Sequence, residues 1–390
     1  MTHTTTSPSA PPAGSRAIYP ILFGFFVMGF VDVVGIATNY VKADFALTDT
    51  LANLIPMMVF LWFALFSIPT GLLMGKVGRR NTVLIALGIT AGAMLLPLFL
   101  YDFGFILFAF ALLGVGNTML QVALNPMMAQ VVHPGRITSV LTLGQFIKAI
   151  SSFLGPIIAA TAAALWGDWK LIFVVYAATT LLAAGWLLAA VPPQPLAEAE
   201  ERATFGSTLS LFADSYITGL FLCILCIVGI DVGLNTCLPR LLMEKTGMPL
   251  GEAGLGTSLY FAARTGGSFL GALLLAKWSA KHFLRWSIGV AVVAFVVLLA
   301  VPALGCMFVM IVVVGLACAN VFSIVFSFAL QHKPERANEI SALMIMGVSG
   351  GALITPLMGV AADAFGQVAG LSVLLLCMAY IGFASIKLIQ

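Results

Sequence analysis

The sequence predicts an all-α membrane protein with twelve transmembrane helices in two pseudo-symmetric six-helix bundles. Three observations support this fold class. Of 390 residues, 61% are hydrophobic and only 8% are charged, whereas a soluble domain carries roughly 25% charged residues. The apolar residues fall into about twelve runs of about 20 residues, which is the length that crosses a bilayer. A polar stretch divides the runs into two sets of six that share motifs.

Each apolar run lies between charged or turn-forming residues and is read as one membrane-spanning helix. The predicted spans are 18–40, 51–74, 81–101, 104–131, 138–164, 171–191, 215–238, 252–276, 286–304, 307–330, 340–362 and 367–387. The stretch PPQPLAEAEERATFGS separates the sixth span from the seventh and reads as a linker. The predicted domains are a cytoplasmic N-terminal tail (1–17), a first bundle (18–191), a cytoplasmic linker (192–213) and a second bundle (214–390).

The Lys and Arg residues outside the spans are distributed unequally between the two sides of the membrane. If the N-terminus is cytoplasmic, twelve lie on the inner side, and only Lys42, Lys170, Arg240 and Lys245 lie on the outer side. Cytoplasmic loops of membrane proteins carry an excess of Lys and Arg. We therefore expect a multi-pass protein of the cytoplasmic (inner) membrane with both termini in the cytoplasm.

Composition also limits the partners and cofactors. The net charge of +3 follows from the loop distribution and does not indicate nucleic acid. Cys223 and Cys226 form a CxxC, but no second ligand pair accompanies them, so packing is expected rather than metal binding. There is no nucleophile–base pair or phosphate-binding loop within the spans. We expect no enzymatic activity, no metal and no bound cofactor, and a monomer whose partners are the bilayer and a small-molecule substrate.

The two halves of the sequence resemble each other. HPGR at 133–136 recurs as KPER at 333–336, and GFVDVVGIATN in the first span resembles GIDVGLNTC in the seventh, which aligns Asp32 with Asp231. Carriers that work by alternating access are commonly built from such repeats, with the substrate site between them. The repeat therefore favours a secondary active transporter.

Four ionisable residues lie well inside predicted spans: Asp32, Lys148, Asp231 and Arg264. Each costs about 2.5 to 3.5 kcal/mol at a helix centre, so they are expected to face a wet cavity or one another. Two acids and two bases allow complete mutual neutralisation as structural ion pairs. The alternative, which we favour, is a role in transport, because ionisable residues within the membrane are usually functional.

Polar side chains recur on several predicted helices. Asn117, Gln121 and Asn125 in GNTMLQVALNP are spaced by four residues and therefore form one stripe on a helix. We expect this stripe to form a wall of the substrate cavity, although such amides also bond neighbouring helices, for roughly 0.6 to 2 kcal/mol. The other predicted substrate-binding residues are Asn39, Gln145, Lys148, Asn235, Arg264 and Asn320.

Two segments carry a family resemblance. GLLMGKVGRR at 71–80 resembles the Gly-x-Leu-Ala-Asp-Arg-x-Gly-Arg-Arg/Lys loop signature of the major facilitator superfamily, except that Gly75 replaces the Asp. GFVDVVGIATNYVKADFALT and QVALNPM are similar to the fucose permease-like proton symporters for fucose, galactose and glucose. The resemblance implies the major facilitator fold and proton-coupled symport of a monosaccharide. The replacement at Gly75 puts an Asp-mediated latch at this loop in doubt.

The resemblance also bears on proton coupling. The similar carriers have Glu-x-x-x-Asn-Pro in the fourth helix, where the Glu is linked to coupling, and Gln121 stands in its place here. Glutamine does not titrate, and all four histidines fall outside the predicted spans. Asp32 and Asp231 are therefore the predicted proton-coupling residues, with Asp32 favoured. A proton is the expected coupling ion, and sodium remains an alternative.

Two alternatives to the symport of a neutral monosaccharide remain open. If Lys148 and Arg264 both meet the ligand, the substrate is an anionic sugar derivative. A drug/proton antiporter is the other alternative, because SSFLGPIIAA at 151–160 partly resembles the fifth-helix signature of those antiporters. Ala159 and Ala160 replace its terminal Gly-Gly.

Overall fold

A computed structural model describes residues 17–47, 51, 54–193, 204–248 and 250–389. Within these residues all regular secondary structure is helical, and twelve long helices account for most of it. Eleven helices are long and apolar enough to cross a membrane; the twelfth is Leu250–Leu274. The predicted all-α membrane fold is therefore confirmed. Most of the predicted tail and the first part of the linker lie outside the described residues.

The twelve helices are numbered here in chain order. Helices 2 to 9 are Leu54–Val77, Arg79–Phe99, Phe103–Val131, Ile137–Trp166, Leu171–Ala190, Ser215–Thr246, Leu250–Leu274 and Ala280–Ala300. Helix 12 is Gln367–Lys387. The other three are interrupted: helix 1 is Ile18–Met28 and Val33–Asp44, helix 10 is Leu304–Cys318 and Val321–His332, and helix 11 is Ala337–Met346 and Gly350–Phe365.

Two predicted span boundaries need correction. Helix 9 begins at Ala280, not at 286, because Lys281, His282 and Arg285 lie in its first turns. Helix 7 continues to Thr246, eight residues beyond the predicted end at 238. In both cases a helix extends past the apolar core of the bilayer, where charged side chains are hydrated and no longer mark the end of the helix.

The predicted linker is partly helical in its described portion. Phe205–Ser210 forms a short helix with a capping box, in which the side chains of Thr204 and Ser207 each accept a hydrogen bond from the other residue's backbone N–H. Ser207 also donates to the Glu339 carboxylate at 2.7 Å, and Arg336 donates to the Ser207 carbonyl at 2.6 Å. The linker is thereby fixed to the start of helix 11.

Helix 7 is anchored at its N-terminus by Asp214. The Asp214 carboxylate accepts hydrogen bonds from the backbone N–H groups of Tyr216 and Ile217 and pairs with Lys333 at 2.6 Å. Burial alone raises the pKa of Asp214, but hydrogen bonds from Lys333 and His332 and from the helix N-terminus outweigh it and lower this pKa to about 2. Asp214 is therefore ionised at neutral pH, and it ties helix 7 to the turn between helices 10 and 11.

The two halves meet closely at one end of the molecule, which we call the terminal face because helix 1 begins there and helix 12 ends there. Helix 2 packs against the first part of helix 11. A Cβ atom added at Gly71 would lie 2.6 Å from the Ala342 Cβ atom, so glycine allows this contact. The buried Arg79 side chain donates from Nε to the Asn338 Oδ1 at 2.7 Å. Gly75, which replaces the signature Asp, is exposed and faces open space.

A second set of bonds joins helix 5 of the first half to helices 8 and 10 of the second half. Ser139 donates from Oγ to the Ala272 carbonyl at 2.6 Å. The hydroxyls of Thr138 and Ser327 lie 2.5 Å apart. All four residues are near the ends of their helices at the terminal face. The terminal face is therefore closed at two places, between helices 2 and 11 and between helix 5 and helices 8 and 10.

Candidate functional site

Asp231 on helix 7 is held by two residues of helix 8. The Arg264 guanidinium forms an ion pair with Asp231 Oδ2, and the Tyr260 hydroxyl donates to Oδ1 at 2.6 Å. Tyr260 precedes Arg264 by four residues, so both lie on the same face of helix 8. The Asp231 and Arg264 side chains are 15% and 20% exposed. Both oxygens of the Asp231 carboxylate are thus occupied, and its charge is neutralised within the second half.

Lys148 approaches this group from the first half of the molecule. It lies in the middle of helix 5, is half-buried, and interacts electrostatically with Asp231. Among the described residues, no acidic side chain forms an ion pair with Lys148. Lys148 of the first half is therefore close enough to the Asp231–Arg264 pair of the second half to act on its charge. Carriers of this architecture place their substrate site between the two halves.

Asp32 lies at the end of a 3₁₀ turn that interrupts helix 1. Its side chain is exposed, and its Oδ2 accepts a hydrogen bond from the Ser152 hydroxyl at 2.5 Å. In the part of the chain that the structure describes, no Lys or Arg forms an ion pair with Asp32. The predicted mutual neutralisation of all four charges is therefore only half realised: Asp231 and Arg264 pair, whereas Asp32 and Lys148 do not.

The break in helix 1 lies where this helix packs closely against helix 5. A Cβ atom at Gly29 would lie 2.5 Å from the Lys148 carbonyl oxygen and 2.8 Å from the Ser151 Cβ atom, so only glycine permits this approach. The 3₁₀ turn Gly29–Asp32 departs from α-helical hydrogen bonding. Asn117 of helix 4 donates from Nδ2 to the Met28 carbonyl at 2.6 Å. This bond supports the backbone directly before the break.

The predicted amide stripe forms a hydrogen-bonded chain along helix 4. Gln121 Nε2 donates to Asn117 Oδ1 at 2.8 Å, and Asn125 Nδ2 donates to the Gln121 carbonyl at 2.7 Å. The three side chains are only 1%, 4% and 2% exposed for Asn117, Gln121 and Asn125. These two bonds lie within helix 4, and of the three amides Asn117 bonds to another helix, through the Met28 carbonyl. Substrate contact by these amides stays a prediction.

The remaining predicted residues differ in accessibility. Gln145 on helix 5 is half-buried, and Asn235 on helix 7 is exposed. Asn320 is 1% exposed and donates from Nδ2 to the Gly267 carbonyl at 2.9 Å, so it joins helix 10 to helix 8. Asn39 lies on the second part of helix 1, but its side chain is outside what the structure describes. Gln145 and Asn235 are therefore the amides best placed to meet a ligand.

Three further residues contact the site, and of these the sequence indicated only Ser152, as a polar neighbour of Lys148. Tyr260 binds Asp231, Ser152 binds Asp32, and the buried Tyr176 ring stacks on Phe30 beside the break, with ring centroids 3.8 Å apart. The sequence spacing could have identified Tyr260, because it precedes Arg264 by one helical turn. Ser152 follows Lys148 by one turn in the same way. No sequence pattern marks Tyr176, because an aromatic residue in an apolar span usually serves in packing.

Comparisons with known proteins agree with this architecture. The family model described as Major Facilitator Superfamily matches residues 21–356. The chain is 24% identical over 376 residues to a glucose/galactose transporter of Brucella abortus, covering 92% of this chain and 90% of that protein. The fold is similar to the crystal structure of the E. coli fucose:proton symporter FucP, with a TM-score of 0.84 at 17% identity, covering 96% of this chain and 98% of that one.

A second FucP structure, described as being in the outward conformation, gives a TM-score of 0.85 at 18% identity with the same coverage. At these identities the structures inform the fold alone. The family model, however, covers most of the chain, including both residues of the Asp231–Arg264 pair. The chain therefore belongs to the Major Facilitator Superfamily and is a membrane transporter, not an enzyme.

Proposed function

We propose that this transporter is a symporter of the cytoplasmic membrane that couples inward movement of a proton to the uptake of a neutral monosaccharide. The observation that carries the proposal is the exposed Asp32 carboxylate at the break of helix 1, in a protein whose other membrane-embedded aspartate, Asp231, is paired with Arg264. The Brucella relative named as a glucose/galactose transporter supports the sugar. The similarity in fold to FucP, which is described as a fucose:proton symporter, is in keeping with the proton.

Asp32 suits the coupling role better than Asp231 does. A proton bound by Asp231 has to displace an Arg264 ion pair or the Tyr260 hydroxyl. Asp32 is held by one hydroxyl, so it can take a proton without breaking an ion pair. Neutralising an unpaired carboxylate removes most of the cost of enclosing it in the membrane interior. Protonation of Asp32 therefore favours closure of the site around the substrate.

The closed terminal face supports alternating access. In this proposal residues 18–191 and 214–390 move as two units, the terminal face is cytoplasmic, and the described conformation opens outward. A proton that enters across 100 mV contributes about 2.3 kcal/mol. At 1.4 kcal/mol per tenfold change in concentration ratio, the potential alone supports roughly fifty-fold accumulation.

The accessible side chains suit a hydroxyl-rich neutral ligand. Gln145 and Asn235 each carry an amide that both donates and accepts hydrogen bonds, as sugar hydroxyls require. Lys148 adds donors from helix 5. The Asp231–Arg264 pair contributes no net charge, which reduces the preference for a charged substrate.

The central test is Asp32→Asn in proteoliposomes. We expect this variant to lose pH-gradient-driven accumulation of labelled glucose or galactose, because an amide does not titrate. Exchange of labelled for unlabelled sugar at equal pH should remain within about tenfold of wild type, since it needs no net proton movement. The measurements are uphill uptake under an imposed pH gradient and counterflow without one.

Asp102→Asn is the matched control, because Asp102 is an exposed loop carboxylate that caps helix 4. It should accumulate sugar normally. Uphill uptake by Asp32→Asn equal to wild type would assign coupling to another group, Asp231 first. Replacing sodium with choline in the same assay separates a proton from a sodium ion, and loss of uptake without sodium would refute proton coupling.

Lys148 favours a second candidate substrate, an anionic sugar derivative. Its ammonium faces the site without a described ion-pair partner, and a ligand carboxylate or phosphate could supply one. Thermal shift of the purified protein with glucose, galactose and glucuronate distinguishes the candidates. Stabilisation by glucuronate alone, abolished in Lys148→Gln, would replace the neutral sugar with the anionic one.

A further inference from the structure

A groove of about 730 Å³ runs along the outer surface of the second half between helices 9 and 10. Three lining residues spaced by four, His282, Trp286 and Val290, form a stripe along helix 9, and Trp278 extends the floor from the turn before this helix. Eight residues of helix at 1.5 Å per residue make the helical part of this stripe about 12 Å long. Its opposite wall is apolar and comes from helix 10, through Val313, Leu316 and Ala317.

The groove has a polar end and an apolar end. At the terminal face lie Trp278, Ser279 and His282, and further along lie Val290 and the wall from helix 10. Trp278 and Trp286 are 61% and 76% exposed. Tryptophan in such a position is typical of the membrane–water boundary, where its ring packs on lipid and its N–H meets headgroups. The gradient from polar to apolar matches a lipid that lies with its headgroup at the terminal face.

The polar end is also positively charged. Lys277 is exposed and directly precedes Trp278, and Lys281 lies beside His282. Arg285 adds charge nearby, although its side chain donates to the Ser385 and Ile389 carbonyls at the end of helix 12. The sequence contains no Asp or Glu from 253 to 334. Basic pockets beside transmembrane helices of this kind bind anionic headgroups.

We propose that this groove is a binding site for an anionic glycerophospholipid. One acyl chain lies along helix 9 against Val290 and the helix 10 wall. The phosphate lies at the terminal face beside Lys277 and His282, and the Trp286 ring covers the glycerol region. A zwitterionic lipid has the same chains but brings a positive group to a positive surface, so it binds less tightly.

Native mass spectrometry of the intact protein tests the proposal. The protein is reconstituted in equal amounts of phosphatidylglycerol and phosphatidylcholine, and the lipids that remain bound are counted. We expect phosphatidylglycerol to be retained about fivefold or more over phosphatidylcholine. Lys277→Gln should lower that preference about threefold, because it removes a charge that meets the anionic headgroup. Trp286→Ala should lower the retention of both lipids about threefold, because the ring packs on the glycerol region that both lipids share.

The matched control is Lys76→Gln. Lys76 is exposed at the same face, in the last turn of helix 2, and the substitution removes the same charge. It should leave retention unchanged. Equal retention of both lipids, or an equal loss in Lys76→Gln, would overturn the proposal. So would a protein dimer that Trp286→Ala dissociates while lipid retention is unchanged, because the groove would then hold a second copy of the chain.

A second measurement uses the wild-type protein, so it does not depend on how variants fold. Phosphatidylglycerol with a photoactivatable diazirine in its acyl chain is cross-linked in the bilayer, and the labelled peptides are identified. We expect the label in the peptides that contain Val290 and Leu316, with competition by unlabelled phosphatidylglycerol but not by phosphatidylcholine. Labelling spread evenly over the lipid-facing helices would show unselective contact and overturn the proposal.

Discussion

The two membrane-embedded aspartates have different surroundings. Asp231 receives one bond on each carboxylate oxygen, from Arg264 and Tyr260, whereas Asp32 is exposed and held by Ser152. The first arrangement fixes a charge in place, and the second leaves a carboxylate held by a single hydroxyl. Equivalent positions in the two halves therefore have different proposed roles, one structural and one in coupling.

Tyr260→Phe tests the structural role of the Asp231 group. The variant keeps the aromatic ring but leaves Asp231 Oδ1 without its hydroxyl donor, which should lower the free energy of unfolding by about 1 to 3 kcal/mol. The measurement is thermal melting in detergent, together with proton-driven uptake, which we expect to stay coupled. Tyr380→Phe is the control, because its hydroxyl donates to a neutral carbonyl at 3.2 Å. A loss in Tyr380→Phe as large as in Tyr260→Phe would contradict a special role for the bond to Asp231.

Helix 1 is the element on which the proposed mechanism depends. Its 3₁₀ turn brings Asp32 to Ser152, and Asn117 supports the backbone at Met28. Asn117 of helix 4 thus acts on the site indirectly, by supporting the helix that carries the carboxylate. A polar residue that is only 1% exposed can in this way contribute to a transport site.

Gly29→Ala tests this dependence. The added methyl would meet the Lys148 carbonyl at 2.5 Å, and backbone has little room to yield, so helix 1 should move away from helix 5 and the Asp32–Ser152 bond should be lost. We expect uptake to fall at least about tenfold and stability to fall by about 1 to 3 kcal/mol, as for overpacking. Gly92→Ala on helix 3 is the control, since nothing lies within 4 Å of its added methyl. Normal uptake by Gly29→Ala would show that the close contact is dispensable.

Sequence patterns predicted the positions of the helices better than the breaks within them and the contacts of their side chains. Hydropathy and length located twelve helices, because the bilayer demands about 20 apolar residues for each crossing. The interruption at Gly29–Asp32 was not predicted, because neither its Gly nor its Asp marks a break by itself and the close contact with the backbone of helix 5 is visible only in the folded protein. The four-residue spacing placed Asn117, Gln121 and Asn125 on one face but could not show what that face meets. Likewise the sequence named Asp231 and Arg264 as candidates, and only their packing shows that they pair.

At the scale of the whole molecule, the two halves are held together at the terminal face by contacts that do not need the signature Asp, which Gly75 replaces. The signature Asp is absent from that turn, yet Arg79 reaches across to Asn338, and Gly71 brings helix 2 against helix 11. The closed face is therefore built with a different set of contacts from the one the signature implies.

Arg79→Ala should open this face. Loss of a hydrogen bond from a charged donor costs about 1.5 to 3 kcal/mol, which is a tenfold or larger shift toward conformations in which the terminal face is open. Spin labels at positions 76 and 335, both exposed at this face, should report a longer mean distance in a background without the six native cysteines. Arg80→Ala is the control, because Arg80 bonds to the Leu188 carbonyl within its own half. An unchanged distance distribution in Arg79→Ala would show that the remaining bonds and the packing are enough to keep the face closed.

Every bond described between the halves at the terminal face ends on a neutral oxygen: the Asn338 amide, the Ala272 carbonyl or a Thr138 or Ser327 hydroxyl. Dissolved ions weaken attraction between exposed opposite charges far more than they weaken short hydrogen bonds of this kind. The contribution of these three bonds to the balance between the two orientations of the carrier should consequently vary little with the salt concentration of the cytoplasm, which the proposed orientation places at this face.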